Sequence, residues 1–334
     1  MTWRRIALLN LLVLLGLEAV CQGVWQLVRH EDMPRDPRSW LAQARLSFRN
    51  GLYVADHAAL WRLSPGYRGG EEALRFWGDA PLAINTDGMR GPERRPDAKV
   101  RVLVIGGSHP MGMYVSWEQS YAGQLERLLA ADGHSAQVLN ASAPGYTSWQ
   151  ARRWLEAYAA DFAPTAIVFD AGVNDTLPLT TEYPIEDKAL RAAPAWASST
   201  RSWLEVSATF RLLQRWLAGP PPVQDGTPTA GTRVSRDDHA SNVRAVVSLG
   251  ARIGAEVVVV NQLSVDLERT GRATCIFDER EFADRRVDLC QLFGALGASA
   301  RDLFVDPIHA NAAGHAQIAE AIAAKLHRSA RARR

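Results

Sequence analysis

The chain has 334 residues, with 38 basic against 36 acidic side chains and a net charge of +2. That balance excludes a nucleic-acid binder working through a basic face, and a hydrophobic content of 47% excludes wholesale disorder. Three cysteines are too few for a disulfide scaffold, and no paired Cys/His spacing suggests structural zinc.

Arg4 and Arg5 precede a largely apolar run of 23 residues, Ile6 to Val28. As a helix this run would span roughly 34 Å, enough to cross a bilayer core. Arginines before it and Glu31 and Asp32 after it put the N-terminus inside. Residues 1–30 are therefore expected to be one uncleaved membrane anchor. The chain from about Glu31 onward would be exported, as in a single-pass bacterial inner-membrane protein with a periplasmic body. Asn10, Glu18, Gln22 and Gln26 interrupt the run, and Glu18 needs protonation or a partner on another helix. The competing reading is a cleavable signal peptide, but no small-x-small site follows, and Cys21 after Glu-Ala-Val fits a lipoprotein box poorly. A buried soluble helix is the third reading, disfavoured by the run's length. Export would permit a Cys275–Cys290 bridge; two free thiols are the alternative.

Residues 31–98 form a preamble rich in turns, expected to be short hairpins or irregular structure against the main domain. Strands and helices then alternate through residues 99–328. Strands are expected at Val100–Ile105, Gln137–Asn140, Ala166–Asp170 and Ala255–Val260. Helices are expected at Trp117–Ala131, Ser148–Ala160, Ser235–Ile253 and Ala312–His327. This order implies parallel pairing in a doubly wound α/β layer. Residues 176–232, rich in proline and holding Trp196, Trp203 and Trp216, interrupt the alternation as an insertion. It reads either as a lid or membrane-proximal cap, or as a loop with one amphipathic helix at Trp203–Leu217. Residues 329–334 are a basic tail.

In open α/β sheets the site lies beyond the carboxyl ends of the strands. There the chain offers Gly106-Gly107-Ser108-His109, then Asn140 to Ser148 including Gly145, then Gly172-Val-Asn174-Asp175. Asp306-Pro-Ile-His309 comes just before the last helix. Gly107 to Gly112 has the spacing of a phosphate loop, but Met113 and Tyr114 stand where Lys and Ser/Thr are required. Ser108 needs a base to become nucleophilic; Asp306 can orient His309 to serve as one. The backbone N–H of Ser108, that of Gly145 and the amide of Asn174 suit a developing oxyanion. These are the groups of an acyl-transfer site, and they need no metal or cofactor.

These four blocks resemble those of the SGNH (GDSL-type) hydrolase superfamily, from about Val100 to the C-terminal helix without the insertion. The last block, Asp306-Pro-Ile-His309-Ala-Asn-Ala-Ala-Gly314-His315, is especially similar. The resemblance implies a three-layer, flavodoxin-like α/β/α sandwich with a mainly parallel sheet. It also implies Ser108 as nucleophile, Gly145 and Asn174 as oxyanion donors, His309 as base and Asp306 as its orienter. The anchor together with Asn85-Thr-Asp-Gly-Met-Arg-Gly-Pro92 resembles membrane-tethered bacterial members, some associated with cell-surface polysaccharide. One departure is Gly107, where the family usually has Asp, which puts loop rigidity in question. His109 is unusual beside the serine and is a candidate substrate contact; Asp170 or Asp175 would have to orient it for any role as a base.

Bland readings stand beside these. Asn174-Asp175 can be a turn, Gly145 a turn glycine, Asp306 a helix cap and His315 a packing or solvent-facing residue. His57, His134 and His239 read as surface residues, and Asp237-Asp238-His239 as a helix start, not a metal site. Three functions follow. The first is an exported serine esterase acting on small acyl, chiefly acetyl, esters of envelope carbohydrate. The second is an O-acetyltransferase passing the same acyl group to a polysaccharide hydroxyl. The third is a degenerate glycan-binding or scaffolding component of an envelope assembly.

Overall fold

The computed structural model describes residues 3–28, 52–69, 82–131, 133, 135–180, 186–189, 207–209, 212, 228–266, 272–277 and 280–332. Helix α1 spans Trp3–Val28. Its Leu12, Val13, Leu14, Leu15, Leu17, Val20 and Val24 are exposed. Among the described residues, no helix is long and apolar enough to cross a membrane; Asn10, Glu18 and Gln22 punctuate the apolar run of α1. Glu18 has the partner it needs. It accepts hydrogen bonds from Ser207 Oγ at 2.7 Å, Ala208 N at 2.6 Å and Thr209 Oγ1 at 2.8 Å, all from the insertion.

In the preamble, β1 (Tyr53–Asp56) and β2 (Leu60–Leu63) make an antiparallel hairpin. The main layer then follows: β3 (Val100–Gly106), a short helix α2 (Ser108–Met111), α3 (Tyr121–Ala131), β4 (Ala136–Asn140), α4 (Ser148–Tyr158) and β5 (Ala166–Asp170). Strands β6 (Pro178–Thr180) and β7 (Pro228–Thr232) pair antiparallel and form the base of the insertion. The readings of Trp196, Trp203 and Trp216, of most of the 203–217 helix, and of His134 lie outside the described residues. After the insertion come α5 (Arg236–Ile253), β8 (Glu256–Asn261), β9 (Leu263–Val265), β10 (Ala273–Cys275), β11 (Arg286–Asp288), α6 (Leu289–Gly294) and α7 (Ala312–Ala332).

The main sheet has five strands in the order β11-β8-β5-β3-β4, all parallel. Strand periodicity of two divides its apolar residues between two cores. Leu103, Ile105, Val257 and Val259 face α4, α5 and the preamble's Trp61, Ile84 and Met89. Val102, Val104, Val258 and Val260 face α3 and α7. Helix α7 answers with Ile318, Ala319, Ile322 and Leu326, spaced to line one face. Burying each large aliphatic side chain in these layers contributes about 1.5–3 kcal/mol. Sheet and helices thus form the expected three-layer sandwich.

Local signals set most helix starts. Thr147 caps α4 in a reciprocal box with Gln150, and Ser235 caps α5 by accepting from Asp238 N. Helix α3 begins at Tyr121 and not Trp117, because residues 116–120 close a turn in which Ser120 Oγ donates to the Trp117 carbonyl. Strand β11 and the β9–β10 hairpin, at three residues per strand, carry too little periodicity to be anticipated. Cys275 and Cys290 form a disulfide, which decides between the two readings of those thiols.

Candidate active site

Registers along the sheet bring the strand ends together. Gly106 at the end of β3 pairs with Asp170 at the end of β5, so the segments after them leave side by side. Ser108 opens α2 directly beyond β3. His309 and Asp306 arrive from the loop before α7, whose first turn is capped by Asn311 Oδ1 accepting from Ala313 N and Gly314 N. Ser108 Oγ lies 2.7 Å from His309 Nε2, across 201 positions of sequence. His309 Nδ1 lies 2.7 Å from Asp306 Oδ2. The other carboxylate oxygen of Asp306 accepts from Ile308 N at 2.9 Å and His309 N at 2.8 Å, so one side chain fixes both the loop and the ring. Asp306 is therefore no helix cap.

Burial raises the Asp306 carboxyl, but the hydrogen bond and charge of His309 and the two backbone donors outweigh it and hold it below its ordinary value. An ionised Asp306 accepts only, which puts the proton of a neutral His309 on Nδ1 and leaves the Nε2 lone pair facing Ser108.

The oxyanion candidates gather on the same side. Pro144 and Gly145 form a turn closed by Tyr146 N donating to the Ala143 carbonyl. Gly145 sits at φ 83°, a conformation glycine adopts without steric cost. Asn174 Nδ2 donates to the Tyr146 carbonyl at 2.9 Å, leaving a second amide N–H. The backbone N–H groups of Ser108 and Gly145 take no hydrogen-bond partner among the described residues. A Cβ at Gly107 would lie 2.7 Å from Asn174 Nδ2 and 3.3 Å from the Tyr146 carbonyl oxygen. A side chain at 107 would thus press on the end of the Asn174 side chain.

His109 is not at the reacting centre as a base: its Nδ1 is 3.0 Å from Asp170 Oδ2 within the core. His239, read as a surface residue, is buried, with Nδ1 2.9 Å from Asp175 Oδ2. That aspartate also accepts from Ser148 N and Ser148 Oγ, which ties the loop after β5 to the start of α4. His315 is buried packing, stacked on His109.

Sequence reasoning missed several positioning groups. Arg233, just past β7, forms a buried ion pair with Asp187 at 2.9 Å, donates to the Gly145 carbonyl at 2.9 Å and to Gln150 at 3.0 Å, while Asp187 accepts from Thr147 Oγ1 at 2.7 Å. The base of the insertion therefore clamps the Gly145 turn. Arg90, inside the quoted Asn85–Pro92 block, donates to the carbonyls of Met111, Gly112 and Val115, each at 2.6 Å. Burial lowers its guanidinium to about 10, so it stays charged at neutral pH. The segment it braces carries Tyr114 at φ 71°, whose ring stands edge-on to His309 with centroids 5.3 Å apart. Burial, followed by the charge of Asp306, pushes the Tyr114 hydroxyl up. Among the described residues, Cys275, Asp288 and Cys290 come within metal-ligating reach of one another, but both sulfurs are spent in the disulfide.

The sequence profile of the GDSL-like lipase/acylhydrolase family matches residues 104–317. The chain belongs to that family. This GDSL-like protein is accordingly a serine ester hydrolase, as the SGNH resemblance implied. No curated protein matches it at a significant level. Its fold is similar to that of an acetyl xylan esterase, at 16% identity over 67% of this chain and 98% of the other, with a TM-score of 0.41. It is similar too to a psychrotrophic esterase from Pseudoalteromonas sp. (15% identity, 69% and 98% covered, TM-score 0.42). A third likeness is to a mutant acetyl-xylooligosaccharide esterase from a Geobacillus (15% identity, 69% and 94% covered, TM-score 0.41).

Proposed function

We propose that this GDSL-like hydrolase is an exported, membrane-tethered esterase that removes short acyl groups, acetyl foremost, from envelope carbohydrate or related esters through an acyl-enzyme on Ser108. The observation that carries the reading is the relay of two 2.7 Å contacts, Ser108 Oγ to His309 Nε2 and His309 Nδ1 to Asp306 Oδ2. In the first step Oγ attacks the ester carbon and its proton passes to Nε2. The carbonyl oxygen becomes an oxyanion facing the N–H groups of Ser108 and Gly145 and the amide of Asn174. Collapse expels the alcohol, which takes the proton from His309. Water then attacks the acyl-serine with His309 as base, the acid departs, and Ser108 is restored.

A short acyl group is supported by the space nearby: the cavity lined by His109, Val173 and Ile308, the chain neighbours of Ser108, Asn174 and His309, has room for about one water-sized group. Tethering is supported by the exposed apolar residues of α1 behind Arg4 and Arg5, and an oxidising, extracytoplasmic compartment by the Cys275–Cys290 disulfide. The intact Ser–His–Asp relay and the steric account of Gly107 weigh against a degenerate scaffold.

The test is direct. The full chain should hydrolyse an activated acetate ester and take up a fluorophosphonate, and Ser108→Ala should lose both. Retained turnover in that variant would overturn the reading. Product analysis with a polysaccharide acceptor separates hydrolysis from transfer. Carbonate-resistant membrane fractionation, with protease accessibility on the outer side, tests the tether.

A further inference from the structure

The polar end of that cavity is His109, and nothing in the relay uses it. The cavity is otherwise walled by side chains such as Leu263, Leu289 and Phe304, with Gln262 as its second polar member. Gln262 is fully engaged: Oε1 accepts from Val173 N at 2.7 Å, and Nε2 donates to Asp170 Oδ1 at 2.6 Å. Asp170 is wholly buried and also accepts from Tyr121 Oη at 3.0 Å. A carboxylate ringed by such donors accepts from His109 Nδ1–H as well, which leaves Nε2 as the unshared nitrogen. The His109 ring is 6% exposed and held between Tyr121 and His315. Its Nε2 has no hydrogen-bond partner among the described residues. His109 lines the cavity and its Nε2 is not among the sealed, unpartnered atoms of the interior, so this nitrogen is open to a ligand group that enters there.

The required ligand group is narrowly defined. An ammonium or a carboxylate would lose its hydration among aliphatic walls, and a methyl group would leave Nε2 unmet. A hydroxyl fits about one water-sized space, donates to a neutral imidazole and accepts from a protonated one.

We propose that His109 Nε2 binds a substrate hydroxyl close to the scissile ester, so that the enzyme selects hydroxyl-bearing esters over plain esters of the same size. The inference rests on the esterase reading of Ser108 and adds a specificity-determining residue to it. The hydroxyl has two sources, the acyl group (a 2-hydroxyacyl ester) or the alcohol (a vicinal diol, as in a sugar).

Two matched pairs of esters distinguish them: ethyl glycolate against ethyl acetate for the acyl side, and 2-hydroxyethyl acetate against propyl acetate for the alcohol side. With kcat/KM normalised to the hydroxide-catalysed rate of each ester, the full chain should favour the hydroxylated member of one pair by about tenfold, the scale of one hydrogen bond. His109→Phe should abolish that preference, and His109→Gln should keep part of it. Melting curves and fluorophosphonate uptake report which variants are folded, and the normalised wild-type ratios read the preference without any variant. Ratios near one in both pairs, or ratios untouched in a folded His109→Phe, would overturn the inference and leave the cavity to a water molecule. Failure of the esterase reading would look different, with no labelling and no hydrolysis of any ester.

Discussion

Asn174 Nδ2 occupies the space that a side chain at Gly107 would enter, 2.7 Å from where its Cβ would be. A side chain there would thus displace the amide of the residue assigned to the oxyanion. Gly107→Asp should therefore impair this enzyme despite restoring the common motif. Displacing one oxyanion donor costs about 2.7–4 kcal/mol of transition-state stabilisation, a loss of about 100- to 1000-fold in kcat. Steady-state kinetics on an acetate ester check this, and an active Gly107→Asp enzyme would reject the steric account.

Asp306 orients His309 and stabilises its cationic form. Asp306→Asn should lower kcat by about 1000-fold or more while leaving KM nearly unchanged, because an amide lets the ring take the wrong tautomer. The folded Asp306 carboxyl lies below its ordinary value. Its contribution to stability is therefore present above about pH 3.9, the unfolded value, and is lost as pH falls through the folded one. The acid limb of the rate profile should accordingly not follow this carboxyl. A kcat loss below tenfold in the variant would contradict the assigned role.

His315 accepts from Tyr121 N through Nδ1. Burial foremost, then the electrostatic influence of His109, Arg90 and His309, keeps it well below the usual imidazole value. With its folded value depressed, it adds stability above about pH 6.5 that is lost as pH falls below that point, at up to about 1.4 kcal/mol per pH unit. Urea midpoints measured from pH 7 to pH 5 should fall less steeply in His315→Gln, which retains an acceptor. An unchanged slope would remove His315 from the acid response.

The buried Arg233–Asp187 pair joins the foot of the insertion to the Gly145 carbonyl. Removing one partner leaves an uncompensated buried charge, so Asp187→Ala should destabilise the fold by about 3–5 kcal/mol. Replacing both by apolar residues should recover much of that stability but not the turnover, since the Gly145 turn stays unbraced. Denaturant curves read alongside kcat separate the two effects. Full activity in the doubly substituted protein would show that the clamp is structural alone.

Much was legible along the chain. Short, mostly β-branched apolar runs in Val100–Gly106 and Glu256–Asn261, and the helical spacing of the segments from Ser148 and Ser235, announce their elements because such patterns are local properties. Ser108, Gly145, Asn174, Asp306 and His309 were readable because each stands at the end of a strand or just before a helix, where the α/β layer exposes its site. Other relationships belong to the tertiary structure. Arg233 and Asp187 carry no spacing signature; two strands and the insertion between them decide that they meet. The place of His109 is also set there: it is Ser108's neighbour in the chain, yet the register that sets Gly106 beside Asp170 draws that ring into the core. His309, 201 positions away, takes the place at the hydroxyl. Local periodicity determines the elements, and the order in which the strands stack determines which of their ends share a volume small enough for proton transfer.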